Sequence, residues 1–188
     1  MINLRPFIQD DFERLKGWVT TPELLMMWSG PLFHYPLDDE QLHSYLHSSK
    51  GDPADRLIYT AIDIESQQPI GHIELSMIDR VNRSAVATRV LVGETVQRGK
   101  GIGKSMVHEV LHIAFDELHL HRVGLHVFDF NSEAIQCYES VGLTREGLLR
   151  DAHTFGDQYW SVIVMSILEN EWSRVSDIYF PPEPDERK

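Results

Sequence analysis

Gln97-Arg98-Gly99-Lys100-Gly101-Ile102-Gly103-Lys104-Ser105 lies between an apolar run, Val90-Leu91-Val92, and a periodic segment that begins at Ile102. Strand, glycine-rich turn and helix in that order aim backbone N–H groups and the positive end of a helix at one point, which suits an anion. Gly99, Gly101 and Gly103 let the main chain approach where a Cβ would obstruct it. Arg98, Lys100 and Lys104 add side-chain charge. The stretch reads as a phosphate or pyrophosphate cradle, beside the plainer reading of a turn that merely starts a helix.

Three glycine-rich motifs compete for it, and spacing separates them. A Walker A loop needs Gly, four residues, then Gly-Lys-Ser/Thr; Gly103-Lys104-Ser105 supplies the end, but Arg98 stands where the first glycine belongs. A GxGxxG fingerprint fails from Gly99, which ends on Lys104, and from Gly101, which ends on Met106. Arg/Gln-x-x-Gly-x-Gly/Ala is met by Arg98, Gly101 and Gly103. That is the pyrophosphate loop of the GCN5-related N-acetyltransferases, which the chain resembles. Downstream, Asn131-Ser132-Glu133-Ala134-Ile135-Gln136-Cys137-Tyr138-Glu139-Ser140-Val141-Gly142-Leu143 resembles the family's N-x-x-A-I-x-x-Y-E-x-x-G-F segment, with Leu143 replacing Phe. A strand at Arg122–Val127 separates the two motifs, as the family order requires. The resemblance covers roughly Ile70 to Leu168.

The resemblance implies an α/β acyltransferase fold, a mixed and mostly antiparallel sheet flanked by helices, with acetyl-CoA as cosubstrate and no metal. It implies that Arg98, Gly99, Lys100, Gly101, Ile102, Gly103 and Lys104 hold the pyrophosphate. Main-chain groups of Leu91, Val92 and Gly93 would bond pantetheine, and Gly93 is suited to the bulge that points an N–H at the thioester carbonyl. Asn131 and Ala134 are placed on the pantetheine arm, with a capping role for Asn131 as the alternative. Tyr138 stands where many members place the tyrosine that protonates the thiolate, and a phenol stays protonated at neutral pH. Packing against the sheet is its alternative.

The amine must lose a proton before it attacks. His126, five residues before Asn131, stands where some protein N-terminal acetyltransferases carry glutamate, and imidazole titrates near neutrality. Glu94 and Glu74 are the carboxylates on or just after strands beside the site. Cys137 has no evident base beside it and reads as a small core residue. Glu146-Gly147-Leu148-Leu149-Arg150 and the closing hairpin are similar to the branch containing ribosomal-protein N-terminal acetyltransferases, a branch that also acts on polyamines, amino sugars and antibiotics. The acceptor is therefore a small-molecule or peptide amine of open identity. The resemblance also implies a homodimer paired through the sheet edge or the last hairpin.

Composition narrows the classes. With 188 residues, 42% apolar and 24% charged, one soluble domain is expected over residues 1–175, followed by a loose Pro-rich acidic tail at 176–188. A net charge of −12 argues against a nucleic-acid binder and is compatible with a cationic acceptor or with plain solubility. No signal peptide or membrane span is visible, and the single cysteine, Cys137, fits a reducing compartment, so the expected location is cytoplasmic.

Along the chain, Ile2–Arg5 reads as a strand, and Asp10 with Glu13 has capping-box spacing for a helix near residue 10. Thr21-Pro22 starts a short helix through Trp28, and Asp38 or Asp39 starts another to about Ser48. Trp28, Phe33, His34 and Tyr35 are candidates for an acceptor pocket, with core packing the alternative for Trp28 and Phe33. Strands follow at Leu57–Ile64, Ile70–Asp79 and Ala85–Val92, then an amphipathic helix from Ile102 to Leu118, a helix at Ser132–Val141 and a hairpin of Arg145–His153 with Tyr159–Leu168.

His108-Glu109-Val110-Leu111-His112 matches H-E-x-x-H, the zinc-protease helix, in which the histidines share a metal and the glutamate acts as base. Phe115 and Leu118 stand where the longer motif has glycine and the third histidine, and Glu133 or Glu139 would have to complete the ligand set. The pair is assigned to the solvated stripe of its helix. A zinc hydrolase and a non-catalytic CoA-binding regulatory domain are the rival readings.

Overall fold

A computed structural model describes residues 2–93 and 99–173. Glu94, Arg98 and the 176–188 tail, all named above, lie outside the described residues.

Strand β1 (Ile2–Pro6) pairs antiparallel with β2 (Leu57–Asp63), β2 with β3 (Pro69–Asp79), and β3 with β4 (Ser84–Val92). Beyond β4 the sheet continues through β5 (Arg122–Phe128), then β7 (Gln158–Leu168), with β6 (Thr144–Phe155) at the far edge. Only β4 and β5 pair in parallel among the described strands, from Ser84 opposite Arg122 to Val86 opposite Gly124. The mixed, mostly antiparallel sheet is as expected. A turn at Gly156, with φ +58, closes the final hairpin.

Helices cover both faces. On one, α1 (Phe12–Trp18), α2 (Pro22–Ser29) and α3 (Asp39–His47) bury Phe7, Leu15, Trp28, Leu42 and Tyr45 against Ile58 and Leu91. On the other, α4 (Ile102–His112) and α5 (Ser132–Ser140) bury Met106, Val110, Leu111, Ile135 and Tyr138 against Ile73, Leu75, Leu125 and Met165. The Thr21 hydroxyl accepts the Leu24 N–H at 3.1 Å and Asp38 accepts the Gln41 N–H at 2.9 Å, so two of the expected caps form.

Two expectations change. The Asp10/Glu13 capping box does not form; Asp11 reaches back instead, accepting the Ile8 N–H at 3.0 Å while it holds Arg5 and the Thr60 hydroxyl. Glu13 is bonded by Lys16 at 2.6 Å instead. The periodic segment from Ile102 is not one α-helix: at Ile113–Glu117 it widens into a π turn, where Leu118 N–H bonds the Ile113 carbonyl at 2.9 Å. The wider turn stacks Phe115 on Trp172 and lets Asp116 accept the Trp172 indole N–H at 3.0 Å. Strand β3 is buried on both faces: His72, Glu74 and Ser76 are buried along with Ile73 and Leu75, because the first three helices roof that face. Past a register shift the exposed residue is Met77.

Candidate active site

The cradle is built as its glycines require. Gly99 and Gly101 adopt φ +77 and +80, the left-handed region that L side chains rarely enter. Gly101 is the N-cap of α4 and has no side chain to satisfy the first-turn N–H groups, which are left facing the loop with the helix dipole behind them. Gly103 packs close to two groups: a Cβ there would stand 3.6 Å from Val92 Cγ2 and 3.7 Å from Cys137 Sγ. Gly99 and Lys100 are exposed in the turn, and Ile102 and Lys104 are half-buried on the first turn of α4. These residues suit the pyrophosphate of coenzyme A.

Val90, Leu91 and Val92 lead into this loop, and the sheet opens beside them. After Val86 and Gly124, β4 and β5 diverge, and a cavity of about 300 Å³ passes between them. Its walls come from both faces of the sheet. Asn131, Ala134 and Tyr138 of α5 line one end; Met27 to Pro31 line the other, with Thr88, Arg89, His126, Phe128 and His153 between. Four of the residues named from sequence, His126, Asn131, Ala134 and Tyr138, thus meet around one opening although they come from a strand and a separate helix.

Each has a defined setting. Asn131 Oδ1 accepts the Ala134 N–H at 3.2 Å, so the asparagine caps α5 and its amide nitrogen remains as a donor. The Tyr138 phenol is almost wholly buried, and burial holds its pKa well above the ordinary value; the neighbouring Cys137 adds to the effect. It is an acid that keeps its proton at any physiological pH. His126 is exposed on β5, facing the Met27 side together with Phe128. Burial raises the Cys137 thiol against a smaller opposing pull from Lys104, which disfavours a thiolate.

The bulge is not at Gly93. The Gly93 N–H bonds the Ile70 carbonyl at 2.8 Å, and a Cβ there would overlap the Trp18 ring, so glycine is needed for packing. The extra residue sits earlier: His72 faces Leu91 and Glu74 faces Thr88, so Ile73 alone opposes Arg89 and Val90. Arg89 takes φ +53, and its carbonyl turns out of the ladder to accept the Trp28 indole N–H at 2.9 Å. With Gly93 N–H directed to β3, the two-residue period sends the Val92 N–H toward the open side.

Behind the bulge lies a charged cluster that the sequence reading missed. Glu74 is fully buried; Arg56 Nε stands 3.0 Å from one oxygen, while Arg89 and the Tyr45 hydroxyl bind the other, the latter at 2.6 Å. Glu74 Oε2 is taken by two donors, and Oε1 stands in ion-pair range of Arg56 without a hydrogen bond, so this carboxylate is built into the cluster. His72 Nε2 lies 3.0 Å from the Tyr45 hydroxyl; burial, with Arg89 adding, pushes its pKa down to about 3. Burial and the Glu74 charge hold the Tyr45 phenol well above its usual value. Arginine in the apolar run Ala87–Val92 was the available signal. Of the early aromatics, Trp28 reaches the cavity wall while stacking on Phe33 at 5.5 Å; Tyr35 is exposed and donates to the Thr20 carbonyl.

The H-E-x-x-H helix is otherwise employed. His108 is not on a solvated stripe: it is buried, 4.9 Å between ring centroids from Trp172, and burial lowers its pKa. His112 pairs with Asp116 at 2.7 Å. No group of three or more metal-ligating side chains occurs among the described residues.

Comparison with known proteins gives the family. A model of the acetyltransferase (GNAT) domain matches residues 2–144. A spermidine N(1)-acetyltransferase of Vibrio cholerae is 25% identical over 177 residues, covering 94% of this chain and 98% of that protein. The putative ribosomal N-acetyltransferase YdaF of Bacillus subtilis is 30% identical over 102 residues, 54% of this chain and 55% of its own length. A crystal structure of the Vibrio cholerae spermidine N-acetyltransferase with CoA and spermine superposes with a TM-score of 0.80 at 23% identity, covering 92% of this chain and 98% of that one. A family model over most of the chain, on a sheet that opens beside a glycine-rich cradle, makes this protein a member of the GNAT family, an acetyl-CoA-dependent N-acetyltransferase.

Proposed function

We propose that the acceptor is a small primary amine of the polyamine kind, acetylated by direct attack on acetyl-CoA within a ternary complex. The observation that carries this reading is the opening between β4 and β5, which gives the acyl donor one end and a second substrate the other. Direct attack needs both at once. On this reading Arg98 to Lys104 hold the pyrophosphate, Asn131, Ala134 and main-chain groups of Leu91 and Val92 hold pantetheine, and the Tyr138 phenol protonates the departing thiolate. His126, at the acceptor end, takes the proton from the ammonium directly or through water; Glu94 is the other candidate for that task.

The polyamine class is favoured over a ribosomal-protein N-terminus because the Vibrio cholerae relative spans nearly the whole chain, whereas YdaF matches about half. A net charge of −12 adds a long-range attraction for polycations. The test is thiol release from acetyl-CoA with spermidine, spermine, an N-terminal ribosomal peptide and an aminoglycoside at equal concentration. Spermidine or spermine should give the highest kcat/KM. A peptide preferred by tenfold would restore the ribosomal branch. No turnover on any amine, with tight CoA binding, would make the chain a regulatory CoA-binding domain.

A further inference from the structure

We propose that Arg89 is a positioning residue for acetyl transfer: pinned by buried Glu74, it fixes the β4 bulge and thereby the main-chain groups of residues 90–92 at the acyl end of the opening. This inference rests on the acetyl-transfer reading and adds to it how the donor strand is held in register.

Moving a one-residue bulge along its strand flips the intervening side chains to the other face of the sheet, so its place has to be held by specific contacts. Here it is held at Arg89 against an unfavourable backbone, with φ +53 at a residue that is not glycine. Such a conformation persists only where the surroundings over-determine it. Three contacts do so. The Arg89 carbonyl accepts from Trp28 at 2.9 Å, its guanidinium binds Glu74, and the same Nη1 reaches Thr88 Oγ1 at 3.0 Å. Thr88 Oγ1 in turn lies 3.3 Å from Ser76 Oγ on β3. The bulge is thereby tied to α2 on one side and to β3 on the other.

Charge bookkeeping separates this from simple stabilisation. Glu74 carries one negative charge and faces two guanidiniums, Arg56 and Arg89, both near the Tyr45 ring at 6.0 and 5.5 Å. One arginine would neutralise it. Arg56 lies before β2, away from the opening, whereas Arg89 is on the cavity wall. The two ion pairs share an acid and differ in what their arginines are attached to.

The experiment compares Arg56→Met with Arg89→Met, adding Arg89→Lys and Trp28→Phe, in the full chain, with kcat on the preferred amine, acetyl-CoA affinity by calorimetry and melting temperature. Both methionine variants should melt earlier. Arg89→Met should lower kcat about thirtyfold, within the range that ångström-scale misplacement produces, with acetyl-CoA affinity falling clearly less than kcat, because the pyrophosphate cradle still holds the donor while only the strand groups at its acyl end shift. Arg89→Lys should recover part of the loss, since the charge still reaches Glu74. Arg56→Met should leave kcat within about twofold. Trp28→Phe, which removes the indole donor and keeps a ring, should lower kcat in the same direction. Equal kcat losses in the two methionine variants, or none in either, would overturn the proposal, as would an Arg89→Met loss of acetyl-CoA affinity in step with kcat. If Arg89→Met does not fold, Trp28→Phe decides alone, and an unchanged kcat is the overturning result. Failure of wild type to acetylate any amine defeats the transfer reading and this inference with it; wild-type turnover with indifferent variants defeats this inference only.

Discussion

The two ends of the opening between β4 and β5 are made differently. The end proposed for the donor comes from two short stretches: a loop of glycines with the first turn of α4, and one cap and one tyrosine of α5. Its groups are mainly backbone N–H, and their aim follows from local φ values such as +77 at Gly99 and +80 at Gly101. The end proposed for the acceptor is assembled from residues of α2, β4, β5, β6 and β7, held by tertiary contacts such as the Trp28 bond to the Arg89 carbonyl. One end is specified by local conformation and the other by packing, so substitutions should separate them.

The sharpest division comes from Gly101→Glu. A left-handed φ costs a side chain roughly 1–2 kcal/mol, and a carboxylate at a helix N-cap facing a pyrophosphate replaces attraction by repulsion of about 1–2 kcal/mol. Acetyl-CoA binding measured by calorimetry should weaken about 150-fold, by about 3 kcal/mol, while the fold, read by circular dichroism, stays. Retained binding would mean that the cradle does not hold the pyrophosphate.

Tyr138→Phe should lower kcat about a hundredfold, the scale of lost general-acid assistance, without weakening acetyl-CoA binding by more than about threefold. Because burial holds the Tyr138 phenol well above its ordinary value, the protonated, active form persists as pH rises and is lost only above that raised pKa. Rates followed from pH 7 to 9.5 should show no alkaline fall attributable to this group. A fall absent in the phenylalanine variant would contradict the setting described.

Gly93→Ala should act on stability and only indirectly on chemistry. Its methyl group would overlap Trp18, and overpacking of this kind costs about 1–3 kcal/mol, read as a lower urea midpoint. A neutral result would show that α1 can shift without loss.

The effect that is smallest near neutrality concerns the buried cluster and pH. The His72 pKa is depressed to about 3 in the fold, so the folded state excludes a proton that the unfolded chain binds below its ordinary pKa. Its stabilising contribution is present above pH ~6.5 and is lost as pH falls toward 3, at no more than about 1.4 kcal/mol per pH unit. Urea melts at pH 7, 6 and 5 should show a shallower decline for His72→Gln than for wild type. Parallel declines would remove His72 from the acid sensitivity.

Much of the fold was legible because its signals are short-range. Thr21 and Asp38 cap their helices as their residue types suggest, and Ile70–Asp79 and Ala85–Val92 form strands close to their expected bounds. The π turn at Ile113–Glu117 was not, since the contacts that accompany it are made with Trp172, far along the chain. His108 looked solvated for the same reason, its neighbour being that tryptophan. Glu74 read as a free carboxylate because nothing in sequence brings Arg56, Arg89 and Tyr45 to it.

By itself, the sequence determined what depends on neighbours along the chain: the glycine cradle at Gly99 to Gly103, the helix it opens, and the Asn131–Tyr138 spacing that sets a cap and a phenol on one helix. Only the tertiary structure decided where β4 and β5 part, which residue carries the bulge, and what surrounds the acceptor end. Those features depend on the register between strands and on buried charges meeting across the sheet. Such contacts join residues that hydrophobic period and local propensity treat as independent.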